Sequence, residues 1–198
     1  MQTNPLSPAR FLSLIWPSKL LTNETFELRL IRRTDKTIRR FFFTSIKEFL
    51  QEAQRHQGFD VYFGVATRFG SHGKKHDCYR VKTLWTDLDK RKYSAGDFYQ
   101  DPDVVVDSGG GTHAYWFLTS PVLVRGERSI EIESYNRGIT QELKGDDNCC
   151  DVSRILRVPG FLNYKYNPPR IVRAYSMVAP VVTDLAASSQ PEAECQLI

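Results

Sequence analysis

Residues 26–45, "FELRLIRRTDKTIRRFFFTS", read as two strands around a turn at Thr34, Asp35 and Lys36. Apolar side chains recur with period two in the first half, and the polar trio interrupts them. The period then lengthens. Ser45 opens a predicted helix, with Glu48 three residues on as the second half of a capping box. Ile46, Phe49 and Leu50 form its apolar stripe, and Gly58 is a plausible stop. "DVYFGVA" predicts a short strand, and residues 67–79 a glycine-rich basic loop. "RVKTLWTDLD" alternates again as a strand. "DVVVDS" and "THAYWFL" predict two strands joined by glycines. Arg125 to about Leu143 has a helical pattern, with Gly145 near its end. "DVSRILRVPG" predicts a short helix that Asp151 caps and Pro159-Gly160 ends. "RIVRAYSM" predicts a late strand, and 181–198 a frayed tail. Strands and helices interleave, which predicts an α/β or α+β domain with a mixed sheet.

Length and composition narrow the class. A chain of 198 residues, 41% hydrophobic and 25% charged, suits one globular domain or one domain with two lobes. Its apolar runs are far shorter than a membrane span requires, and the first residues lack a signal-peptide layout, so a cytoplasmic location without membrane contact is expected. Cys78, Cys149, Cys150 and Cys195 fit a reducing compartment better than a disulfide framework. His72, His76 and Cys78 lack a fourth ligand for zinc, and a basic loop is the better reading.

Charge is unevenly placed. Net charge is only +4, yet Arg68, Lys74, Lys75, Arg80, Lys82 and Lys90–Lys92 gather around Asp87 and Asp89. Residues 151–175 add five cations against Asp151 alone. Cations concentrated beside an acidic pair point to a polyanionic partner.

Three stretches bear candidate chemistry. In "LWTDLDK", Asp87 and Asp89 are two apart on a strand and share one face. Two repelling carboxylates become tolerable when hard divalent cations neutralise them; solvent-facing aspartates on an edge strand are the plainer alternative. In "DSGGGTHAYWFL", bare glycine backbone can approach a phosphate, with His113 nearby; a simple hairpin turn and a core histidine would also explain it. In "DVSRILRVPGFLNYK", Asp151 offers a third carboxylate. Arg154 and Arg157 occupy neighbouring positions on the predicted helix and can grip phosphate, with Asn163 and Lys165 after the Pro-Gly break.

D-x-D, a small-residue turn leading to histidine, then an acidic residue before R-x-x-R-x-P-G-x-x-N-x-K resembles the archaeo-eukaryotic primase superfamily. The likeness is greatest to the small primase-polymerases of phages, plasmids and CRISPR-associated systems, and covers about residues 60–175. The resemblance implies an RRM-like mixed-sheet catalytic lobe, with motifs over about 60–175, beside an N-terminal α/β portion of about 1–58; the catalytic domain would span 1–180. It implies that Asp87, Asp89 and Asp151 bind two Mg²⁺ or Mn²⁺ ions, with Asp146 and Asp147 as rivals for the third position. Ser108 and His113 would contact the incoming triphosphate, although the three-glycine turn between them departs from the family pattern. Arg154, Arg157, Asn163 and Lys165 would bind nucleotide or template phosphates. The implied activity is synthesis and extension of short primers from nucleoside triphosphates on a single-stranded DNA template. A helicase or accessory region often accompanies such domains, so the chain is expected to be an excised core. The loop with Lys74 and Lys75, just before the acidic strand, is expected to reach the first nucleotide's triphosphate. A non-catalytic DNA-binding module and a two-metal nuclease are the competing readings.

Overall fold

The computed structural model describes residues 4–89, 96 and 98–177; the expected tail, Cys195 and Lys90–Lys92 lie outside them. Among the described residues there are twelve strands and three α-helices. The strands are β1 (Asn4–Leu6), β2 (Glu24–Ile31), β3 (Ile38–Phe43), β4 (Asp60–Gly64), β5 (Arg68–Phe69) and β6 (Arg80–Leu88), then β7 (Val104–Asp107), β8 (Thr112–Leu123), β9 (Ile155–Arg157), β10 (Leu162–Asn163), β11 (Arg170–Ile171) and β12 (Arg173–Ser176). The helices are α1 (Pro8–Ile15), α2 (Ile46–Gln54) and α3 (Glu127–Glu142). None is long and apolar enough to cross a membrane.

The first hairpin forms as its pattern predicts. β2 and β3 pair from Phe26 opposite Phe43 to Ile31 opposite Ile38. Lys36 adopts a left-handed φ of 58° at the turn, and Arg32 pairs with Asp35 at 2.5 Å. Ser45 caps α2 in extended backbone, but its side chain makes no capping hydrogen bond. Glu48 still lies in the first turn, where a negative charge favours the helix dipole. The helix ends at Gln54, before Gly58; Gly58, at φ 77°, belongs to the turn into β4.

One sheet runs β1-β12-β7-β8-β6 and the other β3-β2-β4-β9, with β5 added to β2 and a separate β10-β11 pair. The α+β class is as expected. Every strand pairing among the described residues is antiparallel, however, where a mixed sheet was expected. The connections explain this. Parallel neighbours need a crossover between adjacent strands. Here α1 and α3 each lead from the first sheet to the second, and α2 joins β3 to β4, which flank β2.

The predicted helix at 151–158 is a correction. Asp151 does accept the Ser153 amide at 3.1 Å, but the chain then extends, and β9 pairs with β4 from Tyr62 opposite Arg157 to Gly64 opposite Ile155. Val158 precedes a proline, which disfavours helical backbone there, and Leu156 gains burial in the core. β1 closes the first sheet against β12, and β9 completes the second.

Helix α1 lies between the sheets. Ser7 caps it by accepting the Arg10 amide at 3.2 Å, and Pro8 occupies its first turn. The Phe11 ring is 5.4 Å from Phe63 of the second sheet and 5.6 Å from Tyr115 of the first. Trp16 stacks on Phe26 at 4.2 Å, and its indole N–H donates to the Gly64 carbonyl at 2.9 Å. This wedge fixes one sheet against the other.

Candidate active site

The register of β6 and β8 sets Asp87 opposite His113. Directly opposed residues project from the same face of an antiparallel pair, and Asp87 Oδ2 is 3.9 Å from His113 Nε2. His113 is 4% exposed, and its Nδ1 has no hydrogen-bond partner. Burial pushes the imidazole below its ordinary pKa, and Asp87 only partly offsets that. The ring is therefore neutral near pH 7. Asp89 follows the end of β6 and is exposed. Asp87, Asp89, Ser108 and His113 line one cavity of about 340 Å³.

The same cavity also has a cationic lining. Arg154, Arg157, Asn163 and Lys165 all line the same cavity, so the structure unites motifs far apart in sequence. β9 brings Arg157 there, stacked over the Tyr62 ring at 4.8 Å. Arg154 precedes the strand and pairs with Asp151.

Asp151 itself does not line the cavity. Burial opposes its ionisation, but the Ser153 hydroxyl and Arg154 hold its carboxyl below the usual range. Asp146 lies closer to the acidic pair. Its amide donates to the Asp87 carbonyl at 2.9 Å. The Cys149 thiol lies 3.4 Å from Asp146 Oδ2 and 3.7 Å from Asp87 Oδ2. Asp147 begins a short 3₁₀ turn, Asp147–Cys149.

The glycine turn is held by its own hydrogen bonds. Asp107 accepts the Gly109 amide at 2.9 Å, and Ser108 Oγ accepts the Gly111 amide at 3.2 Å. Two of the three glycine N–H groups are thus committed, and the expected bare phosphate cradle is reduced accordingly. Gly110 is glycine for a different reason: a Cβ there would lie 1.7 Å from the Tyr166 hydroxyl oxygen. Arg170 lies over that ring at 3.9 Å and donates to the Gly109 carbonyl at 2.8 Å. Asn163 donates to the Ser108 carbonyl at 2.7 Å and accepts the Lys165 amide at 2.9 Å. Ser108 and Asn163 thereby tie the turn to the segment bearing Lys165.

Lys74 and Lys75 do not line this cavity. Lys75 pairs with Glu133 of α3 at 2.7 Å, and the Lys74 amide donates to Asp77 at 2.8 Å. The loop is anchored beneath by Arg68, fully buried against Glu27 at 2.6 Å, and by the buried Cys78, whose thiol burial pushes up to about 11. His72, His76 and Cys78 form no metal cluster; among the described residues no group of three such ligands does.

Sequence reasoning missed Arg33, Asp60 and Tyr62. Arg33 and Tyr62 line the cavity, and Asp60 is fully buried behind them. The available signal was a charged residue heading the apolar strand "DVYFG".

Residues 61–193 match the family model described as the RepB DNA-primase N-terminal domain. No curated protein matches the chain. Among solved structures, the AEP domain of the primase-polymerase of cyanophage S-2L is similar over 78% of this chain and 82% of that one, at 19% identity and a TM-score of 0.61. The primase RepB′ is similar over 76% of this chain and 50% of its own, at 17% identity and a TM-score of 0.52. The catalytic domain of RepB′ in complex with initiator DNA matches over 76% of this chain and 74% of that one, at 18% identity and a TM-score of 0.52. At these identities the structural likeness is one of fold.

Proposed function

The chain belongs to the RepB DNA-primase N-terminal domain family, and from that premise we propose that it synthesises and extends short primers on single-stranded DNA. One observation supports this reading above the others. Asp87 and His113 oppose each other across a ladder, in a cavity that Arg154, Arg157 and Lys165 also line. Carboxylates and cations lining one space support the binding of metal ions and a triphosphate there.

In the reaction proposed, the 3′-hydroxyl oxygen of one nucleotide bonds to the α-phosphorus of the next. The bond from that phosphorus to the bridging oxygen breaks, pyrophosphate leaves and the hydroxyl proton is released. The neutral His113 donates a hydrogen bond to a triphosphate oxygen. Arg157 and Lys165 hold phosphate charge, Arg154 adds to that field, and Ser108 and Asn163 keep the turn in place. The donor chemistry suits Mg²⁺ or Mn²⁺: Asp87 and Asp89 supply hard oxygens to one cavity, beside the unpartnered Nδ1 of His113. Two such ions, when bound, would neutralise the carboxylates and the developing charge. Asp151, paired with Arg154, and Asp146, bonded through its amide to the Asp87 carbonyl and through its carboxylate to Asn148, are the candidates for the third carboxylate. A helicase or accessory region is the expected working partner.

The test is pyrophosphate release and product length with a single-stranded template, nucleoside triphosphates and Mn²⁺ or Mg²⁺. Primers should appear, and Asp87→Asn or Asp89→Asn should abolish them while the fold is retained. Binding without pyrophosphate release would make the chain a non-catalytic DNA-binding module, and template shortening would make it a nuclease.

A further inference from the structure

We infer that Asp60 is a positioning residue that fixes a two-arginine phosphate grip, with Arg33 as its second cation; this rests on the function proposed above. The Asp60 carboxylate has no exposed surface, and it is saturated. Oδ2 accepts from Arg33 Nε at 2.5 Å, from Arg157 Nη2 at 3.4 Å and from the Tyr62 hydroxyl at 3.4 Å. Oδ1 accepts the Tyr164 amide at 2.7 Å and lies 3.0 Å from Arg157 Nη1. One side chain at the head of β4 thus meets Arg33, two residues beyond β2, the end of β9 and the turn after β10. Arg33, Arg157 and Lys165, the residue after Tyr164, all line the cavity.

Charge and unused donors both point toward an anion. Two guanidiniums share one carboxylate, which leaves a net positive charge beside the cavity. Arg157 is nearly buried and faces Asp60 with both terminal nitrogens, Nη1 at 3.0 Å and Nη2 at 3.4 Å, so the carboxylate sets how the guanidinium is presented to the cavity. Arg33 is 41% exposed on its side chain and keeps donors free of Asp60. A guanidinium held in plane by a carboxylate and by the Tyr62 ring loses little freedom when phosphate arrives, and that preorganisation improves affinity. The occupant is a phosphate group of the nucleotide.

A purely structural Asp60 would tie β4 to β9 and do nothing more. The two roles differ in sign. Removing a negative charge from beside an anion site should by itself tighten anion binding; weaker binding after removal requires that position, not field, was lost. The experiment is equilibrium binding of a fluorescent nucleoside triphosphate to the full chain, in parallel with KM and kcat, for Asp60→Asn, Arg33→Met, Arg157→Ala and the double variants. Asp60→Asn should raise Kd about tenfold or more, and Arg157→Ala should add little in that background. KM should rise with Kd, while kcat changes less. Asp60→Asn alone leaves the buried Arg157 and the partly exposed Arg33 uncompensated and could unfold the chain. Asp60→Asn combined with Arg33→Met keeps charge balanced, and should bind more weakly than Arg33→Met alone. A folded Asp60→Asn protein, or that double variant, with the Kd of its parent would overturn the positioning role. If Arg157→Ala itself leaves Kd unchanged, the cavity assignment falls and this inference with it. If the wild type binds nucleotide as described but makes no primer, the catalytic reading fails while the positioning role stands.

Discussion

His113 is buried opposite Asp87 with its imidazole held neutral, and this has a consequence for stability. Its pKa is lower in the folded protein than the ordinary value of about 6.5. As pH falls through that value the unfolded chain takes up a proton that the folded chain resists, so stability is full above about 6.5 and declines below it. Urea midpoints of the metal-free protein should therefore drop between pH 7.5 and 5.5, and the drop should be smaller in His113→Gln. Gly110 supports a second expectation. A methyl group there would overlap the Tyr166 hydroxyl oxygen at 1.7 Å and its ring carbon Cζ at 2.6 Å. Gly110→Ala should cost about 1–3 kcal/mol by displacing the ring. In a Tyr166→Ala background the same change should cost much less, and a double-mutant cycle on thermal or urea unfolding measures the difference.

At the scale of elements, the loop before β6 is held down rather than free. Cys78 is buried with its thiol pushed up to about 11, so native protein at pH 8 should resist alkylation at that position until denaturant is added; peptide mapping would report it. Labelling as fast as that of a small-molecule thiol would contradict the anchored loop. The sequence showed this segment as a run of glycines and cations, because its anchors are distant in the chain: Glu27, which pairs with Arg68, and the Val152 carbonyl, which accepts from the Cys78 thiol at 3.4 Å. Hairpin β2–β3, helix α2 and the pair β7–β8 were legible because their signals are local: alternation, a cap, a turn between apolar runs. β9 was misread for the same reason in reverse. Asp151 and Pro159-Gly160 imitate the ends of a helix, while the pairing that decides the matter, Leu156 with Phe63, is distant. In the site, Asp87 and His113 were readable as types, and their opposition across the ladder fits that reading. Arg33 and Asp60 lie outside the motif strings, and only the packing of β4 between β2 and β9 makes them neighbours.

Across the whole molecule, the two sheets depend on one wedge. Phe11 has no exposed surface and touches an aromatic ring of each sheet. Phe11→Ala should destabilise the fold by about 3–5 kcal/mol. Because the loss falls on both sheets at once, tryptophan fluorescence and far-UV circular dichroism should still report a single coincident unfolding transition; two separated transitions would mean that the sheets unfold independently. The pairing of β1 with β12 and of β4 with β9 also orders events during synthesis. In a nascent chain Asp87 and Asp89 leave the ribosome before Arg154, Arg157 and Lys165. β1 has no partner until residues 173–176 emerge, and β4 has one open edge until 155–157 do. Contacts of such separation form late. The growing polypeptide therefore exposes paired carboxylates before any of the later arginines arrive, and cannot grip a nucleotide until translation has passed nearly all of the described chain.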